Sequence, residues 1–288
     1  MKSNFDKFHE YLFFTFVFLL IVFFVRSATY NFPDLSSSAE ADVLPPAVTA
    51  EDDSSQDPES VSSEAEAMDS SPETFKILID PGHQQTADYS RENAAPGLNS
   101  TVYKVATGAR GVSTEVWEYV LVLDVALKLE TELKDLGYQV ALTRKEHDVH
   151  ITNKERGEMA KEIGADILVS LHADGSSVAS VQGVSVLSPA PDVSFIDSNR
   201  AAISETLSTL IVDELARSTG ARNRGVHFRN NLSILNWSAV PSSLVEIGFM
   251  SNPEEDEKLQ TEEYQEKIAR GIARGIDKYF NSIAESEE

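Results

Sequence analysis

The chain of 288 residues contains no cysteine. That absence removes disulfides and thiolate ligands, so any metal must be held by nitrogen and oxygen. It also fits an exported protein that needs no redox management. Basic residues are scarce: 24 Lys and Arg stand against 47 Asp and Glu, for a formal net charge of −23. Phosphate binding draws on clustered Lys and Arg, so nucleic acid is excluded as a partner. Between Asn31 and Glu73 there is no Lys or Arg at all, and about half of the net negative charge lies there. Internal repeats are also missing, and 41% apolar content is enough for one folded domain with a sizeable core.

Long apolar runs are missing too, with one exception near the start. Lys2 and Lys7 precede Tyr11 to Val25, where Tyr11 and Thr15 carry the only polar groups. As a helix, this run spans roughly 22 Å, short of a hydrocarbon core about 30 Å thick. Residues 1–30 therefore read as a signal peptide or a short N-terminal membrane anchor. The mediocre small-residue site Val25-Arg26-Ser27 favours the uncleaved anchor. Residues 31–73, rich in Ser, Ala, Pro, Asp and Glu, are expected to be an acidic disordered linker between membrane and folded domain, because they cannot bury enough surface to offset ordering entropy.

Residues 74–284 make up the expected globular domain. Phe75 to Ile79, Gln139 to Leu142, Ile167 to Leu171, Gly183 to Leu187 and Leu244 to Ile247 have the length and branching of buried strands. Val122, Val125, Leu129, Leu133 and Leu136 step by three and four, and Gly137 ends that helix. Asn153 to Ile163, Ala202 to Arg217 and Tyr264 to Phe280 read as further helices. The alternation predicts an α/β fold, a single domain with a mainly parallel twisted sheet covered by helices on both faces.

Four polar groups fall at or near the strand ends. His83 follows the first strand and its Pro81-Gly82 turn, and His172 follows the Ile167 to Leu171 strand. Glu118 lies near the start of the long helix, on the stripe continued by Val122 and Val125, so it points toward the sheet. A carboxylate there is costly without a cation. Ligand sites of open α/β sheets form outside the carboxyl ends of the strands. Two His and one Glu suffice for a catalytic zinc with an open fourth position, and Glu246 could shuttle protons. The pattern is that of a zinc hydrolase.

Residues 75 to about 283 resemble the zinc-dependent N-acetylmuramoyl-L-alanine amidases of the amidase_3 family, in the version found in Gram-positive-type bacteria. The matching stretches are Ile79-Asp80-Pro81-Gly82-His83, Glu118-Tyr119, Gly137-Tyr138-Gln139-Val140, Leu142-Thr143-Arg144, Ser170-Leu171-His172-Ala173, Asn223-Arg224-Gly225-Val226, and Pro241 to Asn252 with Leu244-Val245-Glu246-Ile247-Gly248-Phe249 inside it. The resemblance implies one Zn2+ per chain, held by His83, Glu118 and His172, with Glu246 as the catalytic carboxylate. Glu115 is a rival for the second ligand, and matching Ala126-Leu127-Lys128-Leu129 without a gap selects Glu118.

The implied reaction is hydrolysis of the amide between N-acetylmuramic acid and L-alanine in peptidoglycan. The implied enzyme is an exported monomer, at the outer face of the cytoplasmic membrane or in the cell wall, touching the membrane only through its N-terminal segment. The rival reading is an inactive peptidoglycan-binding or regulatory protein on the same fold. No wall-binding repeat follows the domain, so the tether and the groove are expected to handle localisation.

Asp80 is expected either to orient the His83 ring or to hold the Pro-Gly turn, and Arg144 and Arg156 to support packing. The stretch from Gln84 to Ser113, with Lys104 and Arg110, reads as a surface loop or as a border of the substrate groove. Trp237 is expected in the core or along that groove. His147, His150 and His227 match no metal position. Val122, Lys161 and Asp174 depart from Asn residues common in the family.

Overall fold

The computed structural model describes residues 74–287. The expected N-terminal anchor and acidic linker lie outside the described residues. Among those described, no helix is long and apolar enough to cross a membrane.

The described residues form eight strands and six helices, in the order β1 (Lys76–Pro81), β2 (Asp88–Asn93), β3 (Thr101–Val105), α1 (Glu118–Asp135), β4 (Gln139–Leu142), α2 (Asn153–Glu162), β5 (Ile167–Asp174), β6 (Val184–Pro189), α3 (Ser198–Thr219), β7 (Asn223–Arg229), α4 (Ser233–Trp237), β8 (Ser242–Phe249), α5 (Pro253–Leu259) and α6 (Glu262–Glu287). The main sheet has the order β4-β1-β5-β8-β6-β7. All neighbours are parallel except β6 and β8. The expected α/β architecture is therefore present, with one antiparallel junction.

Alternation along the strands sorts the core into two layers. Ile77, Ile79, Val169, Leu171, Val245 and Ile247 pack on the α1, α3 and α6 side. Leu78, Leu168 and Leu244 pack with Ala160 of α2 and with Ile234 and Leu235 of α4 on the other. Helix ends follow local chemistry. Thr152 and Glu155 form a reciprocal capping box at α2, Asp197 caps α3, and Gly220 closes α3 in the left-handed region at φ 71°.

Several elements depart from the sequence reading. β5 runs on to Asp174 and β8 to Phe249, because the His172–Glu246 rung continues their ladder. His172 thus sits inside its strand and not after it, while Glu246 lies inside β8 as expected. The stretch after His83 is no bare loop: it folds into the antiparallel β2–β3 hairpin. The hairpin has too few apolar residues to announce itself. Tertiary bonds hold it: Glu92 Oε1 accepts from the Lys154 backbone N–H at 3.0 Å, and Asn93 and Ala94 offer their carbonyls to Trp237 Nε1 and Asn236 Nδ2, both at 2.9 Å. Trp237 is thus not a buried core residue but a partly exposed clasp, with Lys154 Nζ 4.3 Å from its ring centroid. β7 also escaped the sequence reading, since Asn-Arg-Gly-Val-His-Phe-Arg is a polar edge strand.

Candidate metal centre

β1 ends on Pro81, and the Gly82 N–H is taken by the Leu171 carbonyl of β5 at 2.9 Å, which brings the chain across the top of β5. A Cβ on Gly82 would stand 2.4 Å from the His172 ring, so only glycine permits this approach. His83 follows at φ 58°, a left-handed conformation that a non-glycine residue holds at a cost of about 1–3 kcal/mol. Two buried arginines fix it. Arg156 donates to the carbonyls of Pro81 and His83, both at 3.0 Å, and Arg144 to those of Pro81 and Gly82, both at 2.9 Å. Arg144 also reaches the Tyr119 carbonyl in the first turn of α1 at 2.8 Å. Burial, with Arg156 close by, brings its guanidinium down to about 10.

Asp80 anchors this frame. Its Oδ1 accepts from Thr143 Oγ1 at 2.6 Å and Arg156 Nη1 at 2.7 Å, and its Oδ2 from Ser170 Oγ at 2.7 Å. Burial would raise its pKa, but Arg156 and the two hydroxyls outweigh burial and hold it below the ordinary value. Of the two expectations for Asp80, turn-holding is the one observed. The His83 ring is oriented instead by the Ala106 carbonyl, 2.9 Å from Nδ1, which fixes Nδ1 as the protonated nitrogen and leaves the Nε2 lone pair free.

That lone pair faces two more donor atoms. His83 Nε2 lies 3.1 Å from His172 Nδ1 and 3.2 Å from Glu118 Oε1, and the last two are 3.0 Å apart. Two ligands of a tetrahedral ion with bonds near 2.0 Å are about 3.3 Å apart, so the triangle has the size of one face of such a site. Glu118 is the first residue of α1 and is buried. Its carboxylate accepts the N–H of Ala109 at 2.6 Å and of Ala173 at 3.0 Å. Burial opposes ionisation of Glu118, yet bonds from His172 and His83 hold its pKa far below the usual range; burial pulls His83 down, and Glu118 more than restores it, so its pKa is raised.

Among the described residues, His83, Glu118 and His172 form the group that could hold a metal ion. Two imidazoles and a carboxylate are the donor set of a catalytic zinc site, which leaves a fourth position open. The rival Glu115 is exposed and pairs with Arg110 at 3.1 Å, apart from the cluster. His147, His150 and His227 are likewise not among its members.

Glu246 pairs with His172 across the β5–β8 ladder. Its Oε2 is buried without a hydrogen-bond partner among the described residues. Burial first, then the charges of Glu118 and Asp174, push its pKa well above the ordinary carboxylate value. Of the family departures, Val122 is core, Lys161 is exposed, and Asp174 ends β5 with its Oδ1 accepting the Gly175 N–H at 2.7 Å.

One support had no sequence signal. Asp256 of α5, fully buried, accepts the N–H groups of Ser113 and Thr114 and the Thr114 hydroxyl, each at 2.8 Å. It pins the turn that feeds α1 and Glu118. Gly111 makes room, since a Cβ there would meet Asp256 Oδ1 at 2.3 Å. Only a fold that places α5 beside residue 113 reveals the bond.

The family model described as N-acetylmuramoyl-L-alanine amidase, Amidase_3, matches residues 77–278. The chain belongs to this family. The match runs from β1 into α6 and contains all four polar groups of the centre. Among curated relatives, the N-acetylmuramoyl-L-alanine amidase Rv3717 of Mycobacterium tuberculosis is 30% identical over 207 residues, spanning 69% of this chain and 84% of that protein. Among solved structures, the amidase Ami1 from Mycobacterium smegmatis superposes with a TM-score of 0.66 at 26% identity, covering 72% of this chain and 97% of that one. The N-acetylmuramoyl-L-alanine amidase from Clostridium difficile 630 gives 0.59 at 26% identity, covering 73% and 98%. This chain is an enzyme of the N-acetylmuramoyl-L-alanine amidase type with the amidase fold.

Proposed function

We propose that this amidase is a zinc-dependent cell-wall hydrolase that cleaves the amide between N-acetylmuramic acid and L-alanine. The observation that carries the reading is the convergence of His83, Glu118 and His172 on one point, with Glu246 paired to His172 on the adjacent strand. His83, Glu118 and His172 would hold one Zn2+ per chain. When bound, zinc supplies Lewis acidity, which makes water a competent nucleophile near neutral pH and polarises a carbonyl.

Glu246 takes a proton from the attacking water and returns it to the nitrogen of the leaving L-alanine as the C–N bond breaks. A carboxyl raised well above its ordinary pKa suits both transfers, because acid and base forms are then closer in energy. Glu118 stays ionised, Asp80 with Arg144 and Arg156 holds the His83 turn, and the Ala106 carbonyl keeps the His83 ring from rotating away. The folded domain, residues 74–284, is the catalytic unit, acting as a monomer. Residues 1–30 export or anchor it at the outer face of the membrane, and the acidic stretch 31–73 serves as a tether.

Product analysis tests the reading. The purified chain should release L-alanine amino groups from peptidoglycan without creating reducing sugar ends, and a chelator should abolish that release until zinc is restored. Acetate release, or zinc binding with no new amino termini, would instead support a deacetylase or an inactive wall-binding protein.

A further inference from the structure

We propose that the exposed face of the β2–β3 hairpin is a sugar-binding platform, which takes the glycan strand on either side of the muramoyl unit being cleaved. The inference rests on the amidase reading and adds a subsite to it. Tyr89 and Tyr103 are 55% and 49% exposed, their ring centroids are 5.3 Å apart, and the rings meet edge to face at 83°. Arg91, the cross-strand partner of Tyr103, lays its guanidinium 4.6 Å from that ring's centroid and is held there by the Thr101 carbonyl at 3.1 Å. The hairpin thus leaves two aromatic rings and a cation exposed, while Glu92, on the opposite face across from Val102, is buried. Aromatic surface left in water on a small polar hairpin marks a contact site.

The platform is attached to the metal centre. The Tyr89 hydroxyl bonds to Thr107 Oγ1. The preceding residue, Ala106, supplies the carbonyl that orients His83. The following one, Gly108, lies so close that a Cβ would stand 2.8 Å from Glu118 Oε2 and 2.9 Å from the His83 ring. The hairpin is also fixed from beneath by the Glu92, Asn93 and Ala94 bonds to α2 and α4. A pre-ordered surface spends little entropy on binding.

The chemistry selects the occupant. In an N-acetylmuramoyl-L-alanine bond, the sugar lies on the acyl side of the reacting carbonyl, so a surface for sugar must adjoin the centre. A pyranose presents C–H groups on its faces and hydroxyls around its rim. Tyrosine offers the complement, a flat apolar face with a polar tip. Arg91 adds donors for N-acetyl carbonyl oxygens, on a chain whose formal net charge is −23.

The experiment uses the full chain and compares Tyr103→Ala, Tyr103→Phe and Arg91→Ala with the parent. Both sites, Tyr103 and Arg91, are exposed, so the folded state should survive. Two substrates are compared, glycan strands of several disaccharides bearing peptides and the single disaccharide-peptide. Tyr103→Ala should raise KM for the strand about tenfold more than KM for the monomer, with the loss in KM and not in kcat, and Tyr103→Phe should restore it. Binding of a β-1,4-linked N-acetylglucosamine oligomer, measured by calorimetry, should weaken in parallel. A Tyr103→Ala enzyme with an unchanged KM ratio, or one that loses kcat equally on both substrates, overturns the platform. If the parent chain releases no L-alanine amino groups, the amidase reading fails. The oligomer titration would then still decide the platform, which falls if Tyr103→Ala binds as the parent does.

Discussion

Asp80 and Glu246, whose partners Ser170 and His172 are two positions apart on β5, behave in opposite ways, and the difference lies in what each touches. Asp80 meets a guanidinium and two hydroxyls, which hold its pKa low despite burial. Glu246 has an oxygen with no partner and the charges of Glu118 and Asp174 nearby, so its pKa goes up. Glu246→Gln keeps shape and burial but removes the proton carrier. Zinc content should stay at one per chain while turnover falls about 10²- to 10⁴-fold; a variant that digests walls normally removes Glu246 from the mechanism. Asp80 gives a pH signature. Because its folded pKa is depressed, it stabilises the chain above its unfolded pKa of about 4, and that stability is lost as pH falls through the folded value. Asp80→Asn leaves Arg156 buried without its partner and should cost about 3–5 kcal/mol at neutral pH. Denaturant titrations at several pH values should show the parent losing part of that advantage toward strongly acid pH. Equal stability of both chains at neutral pH would show that Asp80 is not the anchor.

At the scale of elements, the centre is a meeting of β1, α1, β5 and β8, and α5 braces it from behind. Asp256 reaches from α5 to the 113–114 turn, so it sets where α1 begins and therefore where Glu118 stands. Asp256→Asn should weaken zinc binding on the order of tenfold in chelator competition, as removal of supports behind ligands does. An unchanged zinc affinity would assign Asp256 to folding alone. β1, β4, β5, β6 and β8 were legible in the sequence because they are short apolar runs, and α1 because Val122, Val125, Leu129 and Leu133 follow a helical stripe. The meeting of His83, Glu118 and His172 was legible because polar groups in such settings need a reason. The β2–β3 hairpin and β7 were not, since their residues are polar; the hairpin is anchored, and β7 is paired, by elements far along the chain. The supports of the centre stayed hidden for the same reason: the Ala106 carbonyl and the Asp256 bonds carry no local pattern.

On the scale of the molecule, a six-stranded sheet converts sequence separation into proximity. His83 and His172, 89 positions apart, are brought within 3.1 Å because β1 and β5 are neighbours, and β8 adds Glu246 from a third segment. The same arrangement makes the centre draw on segments from His83 to Glu246, all of them inside the family match at residues 77–278. If His83, Glu118 and His172 hold one zinc, zinc X-ray absorption on the purified chain should show one zinc per chain, with two imidazole nitrogens and carboxylate and water oxygens near 2.0–2.2 Å, and that spectrum should be lost in His172→Ala. A six-oxygen shell, or a spectrum unchanged in His172→Ala, would contradict this reading.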